Sequence, residues 1–249
     1  MKNLLFLLLS LLSIGQITAK CANSGFHVFP AGSSISANSY IVLEGYAASQ
    51  EIIIALNKEY PIYLLSGNEK IKLNIQEIKE GAFRLSQAVL IPEKALTEGK
   101  TYTLHIDKLP EGERLDRYNA ESGDFEKISW TVTVADKEQP TMNTKISELD
   151  KSYELFGCGP SVYVTFDCNA TDNNALLAKT TLKNLKSGKT QTYYLAVENG
   201  KIQVGHGMCS GAFSFDEDGN YEVSFEIMDA AGNIAENSKQ TLTLVPPKS

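Results

Sequence analysis

The chain carries little of what chemistry usually needs. Its 249 residues include three histidines, four cysteines and a single tryptophan. His27, His105 and His206 are scattered, and none stands beside a Gly-x-Ser-x-Gly elbow, so nucleophilic catalysis by serine or cysteine has no constellation to rest on. There is no Cys-x-x-Cys pair, which argues against a zinc site. No apolar run beyond the first residues is long enough to cross a membrane. No amphipathic pattern with a period of 3.6 residues is found beyond that start either, which argues against a helical fold. Basic residues are also in deficit: 23 Lys and Arg stand against 30 Asp and Glu, a formal net charge of −7. Both halves of the chain are mildly acidic, and this excludes nucleic acid and anionic membrane surfaces as expected partners.

Residues 1–19 read as a secretory signal peptide. Lys2 supplies a short positive start, Leu4 to Ile14 an apolar core, and Ile17-Thr18-Ala19 a small-residue cleavage site. The expected product is an exported protein, periplasmic, extracellular or on the cell surface, with no membrane span after signal removal. Lys20 stands where lipoprotein processing expects a small residue, so Cys21 is not expected to carry lipid. Export permits disulfides, and four cysteines allow three pairings. Cys158, in Gly-Cys-Gly-Pro, and Cys209, in Gly-Met-Cys-Ser-Gly, both fall at turns, so Cys158–Cys209 is the preferred bridge. Cys168 shares the inward parity of Val162, Val164 and Phe166 and reads as a buried thiol; Cys21 is left unpaired or tied to Cys168.

The body of the chain is a succession of short strand patterns with turn residues between them. Trp130 to Pro140 (WTVTVADKEQP) ends one series, and Gln240 to Pro246 (QTLTLVP) ends the next in the same form. In the first series Ile41 and Leu43 alternate with Val42 and Glu44, and Glu51–Leu56 (EIIIAL) reads as a short buried strand. Ile71, Leu73 and Ile75 mark one face of a half-buried strand, as do Tyr102, Leu104 and Ile106. In the second series Val162, Val164 and Phe166 face inward, Asn199-Gly200 signals a tight hairpin turn, and Tyr221 to Ile227 alternate cleanly. Asp229–Asn233 reads as a structural turn, with the Asp229 side chain accepting turn N–H groups. The expected fold is all-β: two tandem β-sandwiches, residues 21–135 and 136–249. Asp136 to Pro140 is the expected linker, holding the sandwiches end to end as a short rod.

Three stretches carry a family resemblance. FPAGSSISANSYIVLEG, LIPEKALTEGKTYTLHI and the closing WTVTV resemble the SbsA-type Ig-like module of bacterial S-layer and surface proteins. GNYEVSFEIMDAAGN resembles a second bacterial Ig-like or fibronectin-III-like module. The resemblance implies a cell-surface or envelope protein that binds other molecules or acts as a spacer, without enzymatic activity.

Residues 107–127 depart from that pattern, being too long and polar for an ordinary connection. Glu113, Asp116, Arg117, Tyr118 and Phe125 are the candidate binding residues of this loop, for a protein or glycan at the cell envelope. Asp216, Asp218 and Asn220 form an acidic turn that is a weak metal candidate. Glycine comes at the fourth position of that turn and Ile227 at the twelfth, so it lacks the spacing of a calcium loop. No cofactor is expected, calcium being the one possible ion. A calcium-stabilised adhesin fragment is the alternative function, and a hydrolase or inhibitor acting through residues 107–127 a further one.

Overall fold

A computed structural model of the protein describes Cys21 and residues 24–119, 122–216 and 219–247. The proposed signal peptide lies outside the described residues, as does Asp218. Within them nearly all of the regular secondary structure is strand. The N-terminal half runs β1 (Ser24–Phe29), β2 (Ser34–Ser36), β3 (Ile41–Ala47), α1 (Ser49–Ile54), β4 (Ile62–Ser66), β5 (Glu69–Glu80), β6 (Leu85–Pro92), β7 (Thr101–Ile106), β8 (Asp116–Tyr118), β9 (Phe125–Lys127) and β10 (Ser129–Thr133). The C-terminal half runs β11 (Thr141–Met142), β12 (Ser147–Phe156), β13 (Gly159–Asp167), β14 (Ala170–Thr171), β15 (Leu176–Asn184), β16 (Thr190–Ala196), β17 (Lys201–His206), β18 (Tyr221–Asp229) and β19 (Gln240–Leu244).

Eight N-terminal strands join in the order β1-β3-β6-β5-β4-β7-β10-β2. The long β5 is the corner of this sheet. Its first residues, Glu69 to Lys72, pair with β4, and Leu73 to Glu80 pair with β6 across an irregularity between Ile75 and Glu77. A strand that changes partners at a bulge lets one sheet fold over on itself and enclose a core. That core holds Ile41, Leu43, Ile71, Leu73, Tyr102, Leu104, Trp130 and Val132, the residues whose alternation marked the inward faces. Trp130 is fully buried and its indole N–H donates to the Pro30 carbonyl at 3.0 Å.

Glu51–Leu56 is not a strand. Ser49–Ile54 form α1, a single short helix. Ile52, Ile53 and Leu56 are buried while Ile54 is 39 % exposed, which is the spacing of one helical face. So short an apolar run reads alike as strand or helix. Gly45 lets α1 lie on β3: a Cβ there would come within 2.5 Å of the Ser49 carbonyl oxygen.

The C-terminal half is a sandwich of a three-stranded sheet, β12-β13-β17, and a four-stranded sheet, β16-β15-β18-β19. Val164, Phe166, Tyr193, Val223, Phe225 and Ile227 fill the space between them. Phe166 and Phe225 meet edge to face with ring centroids 4.9 Å apart. Cys168 is buried among them, as its parity predicts. Asn199 and Gly200 both take positive φ in the hairpin before β17, as the Asn-Gly signal requires.

Two expectations fail at the meeting of the halves. The contact is not confined to the linker. Val42 and Val89 on the N-terminal sheet pack with Leu177 and Tyr194 in a third buried cluster, flanked by Phe29, Tyr40 and Met228. Leu85 and Tyr46 pack into the C-terminal core, and Phe83 forms a β-bridge with Gly211. The buried Gln87 amide accepts from Tyr194 N–H at 2.8 Å and donates to the Tyr194 carbonyl at 3.1 Å. Asp136, in the linker, is itself held from both sides: its N–H and carbonyl bond to Asn38, and its carboxylate accepts from Asn174. The linker therefore serves a broad seam between sheet faces, not a rod joined at its ends.

The second correction concerns the cysteines. Cys209 is bridged to Cys21, not to Cys158. Cys21 precedes β1, which pairs with β3 at the sheet that lines the seam, and it lies beside the segment holding Cys209. The disulfide thus ties the two halves, across a sequence separation of 188.

Candidate functional site

The seam leaves two adjoining hollows, of about 440 and 530 Å³, that share His27, Glu44, Ala196 and Glu198. The first runs over the C-terminal half past Tyr163, Tyr193 and Gln203. The second opens toward Phe29, Val42 and Tyr194 and is rimmed by Asp116, Arg117 and Tyr118 of β8. Together they form one groove with walls from both halves, of a volume that fits a small ligand or a few side chains of a larger one.

The floor of the groove is polar and poorly solvated. Glu44 projects from β3 and its Oε1 accepts from Gln87 Nε2 at 3.1 Å. Burial pushes the Glu44 carboxyl up to about 7, with bonding from Tyr193 and Gln87 opposing the rise. Tyr193 is fully buried. Burial raises its phenol, and the charge of the facing Glu44 raises it further. Tyr193 Oη faces Glu44 and Gln87 but meets neither within normal hydrogen-bond geometry. His27 stacks on Tyr46 with ring centroids 5.4 Å apart. Partial burial lowers the His27 pKa, and the nearby Glu198 carboxylate offsets this in part. The groove therefore brings together an imidazole, a buried carboxyl and the phenol that faces it.

The loop residues singled out by the sequence divide into two groups. Asp116, Arg117 and Tyr118 lie at the groove. The chain there forms a small hairpin, β8 paired with β9, where irregular loop was expected. Arg117 anchors it by donating to the Ala31 carbonyl. Tyr118 and Phe125 stack edge to face at 5.5 Å and are 57 % and 54 % exposed, with the Arg114 guanidinium 4.4 Å above the Phe125 ring. Glu113 turns away: its Oε2 accepts from Ser49 Oγ at 2.7 Å, and Ser49 Oγ accepts from Gly25 N–H at 2.9 Å. It fastens the loop to α1 and does not face the groove.

The acidic turn does not assemble a metal site among the described residues. Asp216 Oδ2 accepts from Asn184 Nδ2 at 2.7 Å, and the Asn220 carbonyl accepts from Leu185 N–H, so both brace the hairpin after β15. A different acidic group forms at the seam. One carboxylate oxygen each from Asp136, Asp172 and Asp229 lie within 4.8 Å of one another. Asp229 holds its turn as expected, accepting from Asn233 N–H and Nδ2, both at 2.8 Å. Burial raises its pKa, as do the negative charges of Asp172 and Asp136. These three are the residues whose donor chemistry suits a hard divalent cation.

No protein-family model matches this chain. No curated protein matches it either. Among solved structures it is similar to pullulanase type I from Bacillus subtilis complexed with maltose, at 14 % identity and a TM-score of 0.27, over 90 % of this chain and 25 % of that one. It is similar to a two-domain fibronectin type-III segment of chicken tenascin, at 9 % identity and a TM-score of 0.25, over 92 % of this chain and 100 % of that one. A DUF4785 family protein from Legionella pneumophila gives 11 % identity and a TM-score of 0.24, over 92 % of this chain and 58 % of that one. The chain spans about a quarter of the pullulanase chains. All these scores lie far below what an argument about family or function would need. The SbsA-type assignment remains a resemblance of motifs.

Proposed function

We propose that the protein is an exported, non-enzymatic binding module of two tandem Ig-like sandwiches, residues 21–135 and 136–249, whose ligand seats in the seam groove. The observation that carries this reading is convergence: Asp116, Arg117 and Tyr118, chosen from the sequence as contact residues, rim a groove built by both halves. A groove with apolar walls, few polar groups on its floor and exposed aromatics at its rim suits a protein loop or a glycan of the cell envelope. The absence of a nucleophile-base pair in the sequence supports a binding role over a hydrolytic one.

The test is capture of envelope components by the protein, compared with Arg117→Ala and Tyr118→Ala. Wild type should retain a component that both variants lose by tenfold or so, an interface hot-spot effect of about 1.4 kcal/mol or more. Equal capture by all three would overturn the reading.

Calcium stabilisation is the second reading, favoured by the Asp136, Asp172 and Asp229 group, which joins the linker to two turns of the C-terminal half. A divalent cation there would relieve the mutual repulsion of three carboxylates. Calorimetry with and without chelator decides it, and an unchanged melting temperature would exclude it.

A further inference from the structure

Strand pairing lays a polar row along the seam. Register sets His27 of β1 opposite Glu44 of β3, and Glu44 opposite Gln87 of β6. Side chains set opposite one another share a face of the sheet, and Gln87 reaches the C-terminal half from this one. The row is short of donors. A primary amide has two N–H groups, and Gln87 Nε2 gives to Glu44 Oε1 and to the Tyr194 carbonyl, both at 3.1 Å. Nothing of it is left for Glu44 Oε2, and Tyr193 Oη meets that carboxyl in no normal geometry. The row is short of positive charge too. Glu44 and Glu198 line both hollows, and among the described residues neither has an ion-pair partner. Arg117 is spent on the Ala31 carbonyl, and Lys201 on the wall pairs with neither glutamate. A carboxylate taken from water without a counter-charge is costly, and such groups are ordinarily paired.

Resting on the binding role given above, we propose that the groove takes a primary ammonium group, carried on a lysine side chain of a protein partner, with Glu44 and Glu198 as its carboxylate acceptors. An ammonium brings the two things the row lacks: three N–H donors and a positive charge on a compact head. The four-carbon stem of lysine packs on apolar surface, and Leu85, Leu195 and Ala212 line the first hollow. An amino sugar carries hydroxyls around its ring, and those walls would leave them unbonded. Glu44 anchors the ammonium, which many proteins present, and the choice among them falls to the β8 rim.

Glu44 must ionise to hold the ammonium, and this sets the pH dependence. Burial keeps its proton on up to about pH 7, so affinity should climb with pH below that value and level off above it. The climb approaches about tenfold per pH unit on the acid side. The titratable and charged groups around Glu44 are His27 on β1, Tyr163 on β13, Tyr193 on β16, Glu198 and Lys201 at the hairpin before β17, and Asp116 with Arg117 on β8. Burial raises both phenols, so they stay protonated through this range. Burial lowers the His27 pKa, so its imidazolium opposes the ligand only in more acid solution. That effect has the same sign, but it is common to wild type and to any Glu44 variant and cancels between them.

The experiment titrates Nα-acetyl-lysine methylamide into isotope-labelled protein and follows the backbone amide shifts by NMR. The expected result is saturable shifts centred on Glu44, Gln87, Tyr194 and Glu198, with a Kd in the millimolar range. The Nε-acetylated probe and the norleucine probe, which keep the stem but lack the charge, should give none of them. Glu44→Gln should weaken binding tenfold or more and flatten its rise between pH 6 and 8, and Glu198→Gln should weaken it less. Each variant is melted alongside wild type, so that lost affinity is told from lost fold. Equal shifts from charged and uncharged probes would overturn the proposal, as would an unchanged Kd in Glu44→Gln, tighter binding of glucosamine, or a groove silent to the lysine probe up to its solubility. Envelope capture separates this outcome from the fate of the groove itself. Capture kept by Glu44→Gln but lost by Tyr118→Ala would overturn the ammonium assignment and leave the groove as the binding site, whereas equal capture by every variant would overturn both.

Discussion

Glu44→Gln should make the protein more stable at neutral pH, and the pH dependence of the gain is the signature. Glu44 holds its proton to about pH 7 in the fold because burial penalises the charged form, against an ordinary value of 4.5. Below pH 4.5 the carboxyl is neutral in both the folded and the unfolded chain and has no net effect. Between 4.5 and about 7 the unfolded chain has lost the proton and the folded one has not, so stability falls as pH rises. Above about 7 both are ionised and the loss levels off. At 1.36 kcal/mol per pH unit, that interval amounts to about 3 kcal/mol at most. Glutamine keeps an oxygen to accept from Gln87 but cannot ionise, so the variant escapes the loss. For a chain of this size 1 kcal/mol moves the melting temperature by roughly 2–4 °C, so the gain at pH 8 should be roughly 6–12 °C. Asp229 titrates with the same sign, but it does so in both proteins and cancels in the difference. Thermal unfolding of wild type and variant followed by circular dichroism from pH 4 to 8 reads the effect. Melting curves that stay parallel across that range would refute the reasoning, since they would mean that Glu44 is solvated in the fold.

Gln87→Leu keeps the bulk of the seam but leaves the N–H and carbonyl of Tyr194 buried without partners; at about 1–3 kcal/mol for each, the loss should be roughly 2–6 kcal/mol in urea unfolding, and a loss under 1 kcal/mol would show the seam to be wet. Gly205→Ala places a Cβ 2.0 Å from the Val162 carbonyl oxygen at a φ of +147°, so it should open the β13–β17 pairing and abolish the cooperative melt, and a variant that melts as wild type does would contradict the register.

Strand positions were legible wherever one face of a strand meets water. Ile71, Leu73, Val164 and Phe166 sit where their alternation put them, because period-two patterning survives when one face stays polar. β12 was not legible at all. Both of its faces are largely exposed along Ser147–Phe156, so no alternation marks it. The seam was hidden for the opposite reason. β6 is buried at seven of its eight positions, with Ala88 and Leu90 facing the N-terminal core while Leu85 and Val89 face the C-terminal half. A strand buried on both faces shows no alternation, and within Leu85–Pro92 Gln87 is the polar residue that meets a partner across the seam. Glu44 within Ile41–Ala47 is the same signal on β3. Of the five loop residues that the sequence singles out, Asp116, Arg117 and Tyr118 line the groove and Glu113 and Phe125 do not. Sequence reasoning missed the floor, since His27, Glu44 and Tyr193 converge only through strand pairing and the seam. The bridge was missed because turn position says where a cysteine can reach, not which turn lies beside it.

The seam also decides which part of the groove can adapt. The walls stand on β3, β6, β15 and β16, all carried by buried sheet and joined by Gln87, by the Phe83–Gly211 bridge and by the Cys21–Cys209 disulfide. Such walls are organised before any ligand arrives, which lowers the ordering cost of binding but fixes the shape on offer. The β8–β9 hairpin is different in kind. It pairs with no strand but its partner, it rests on the sandwich through Arg117 and Glu113, and its rings lie in solvent. Change at Tyr118 therefore alters what the groove meets without touching the Arg117 and Glu113 bonds that hold the hairpin in place. On the binding role proposed above, a rigid cleft with one adjustable rim would separate stability from recognition, and that separation is the physical reason for proposing specificity in the hairpin and not in the more strongly perturbed groups beneath it.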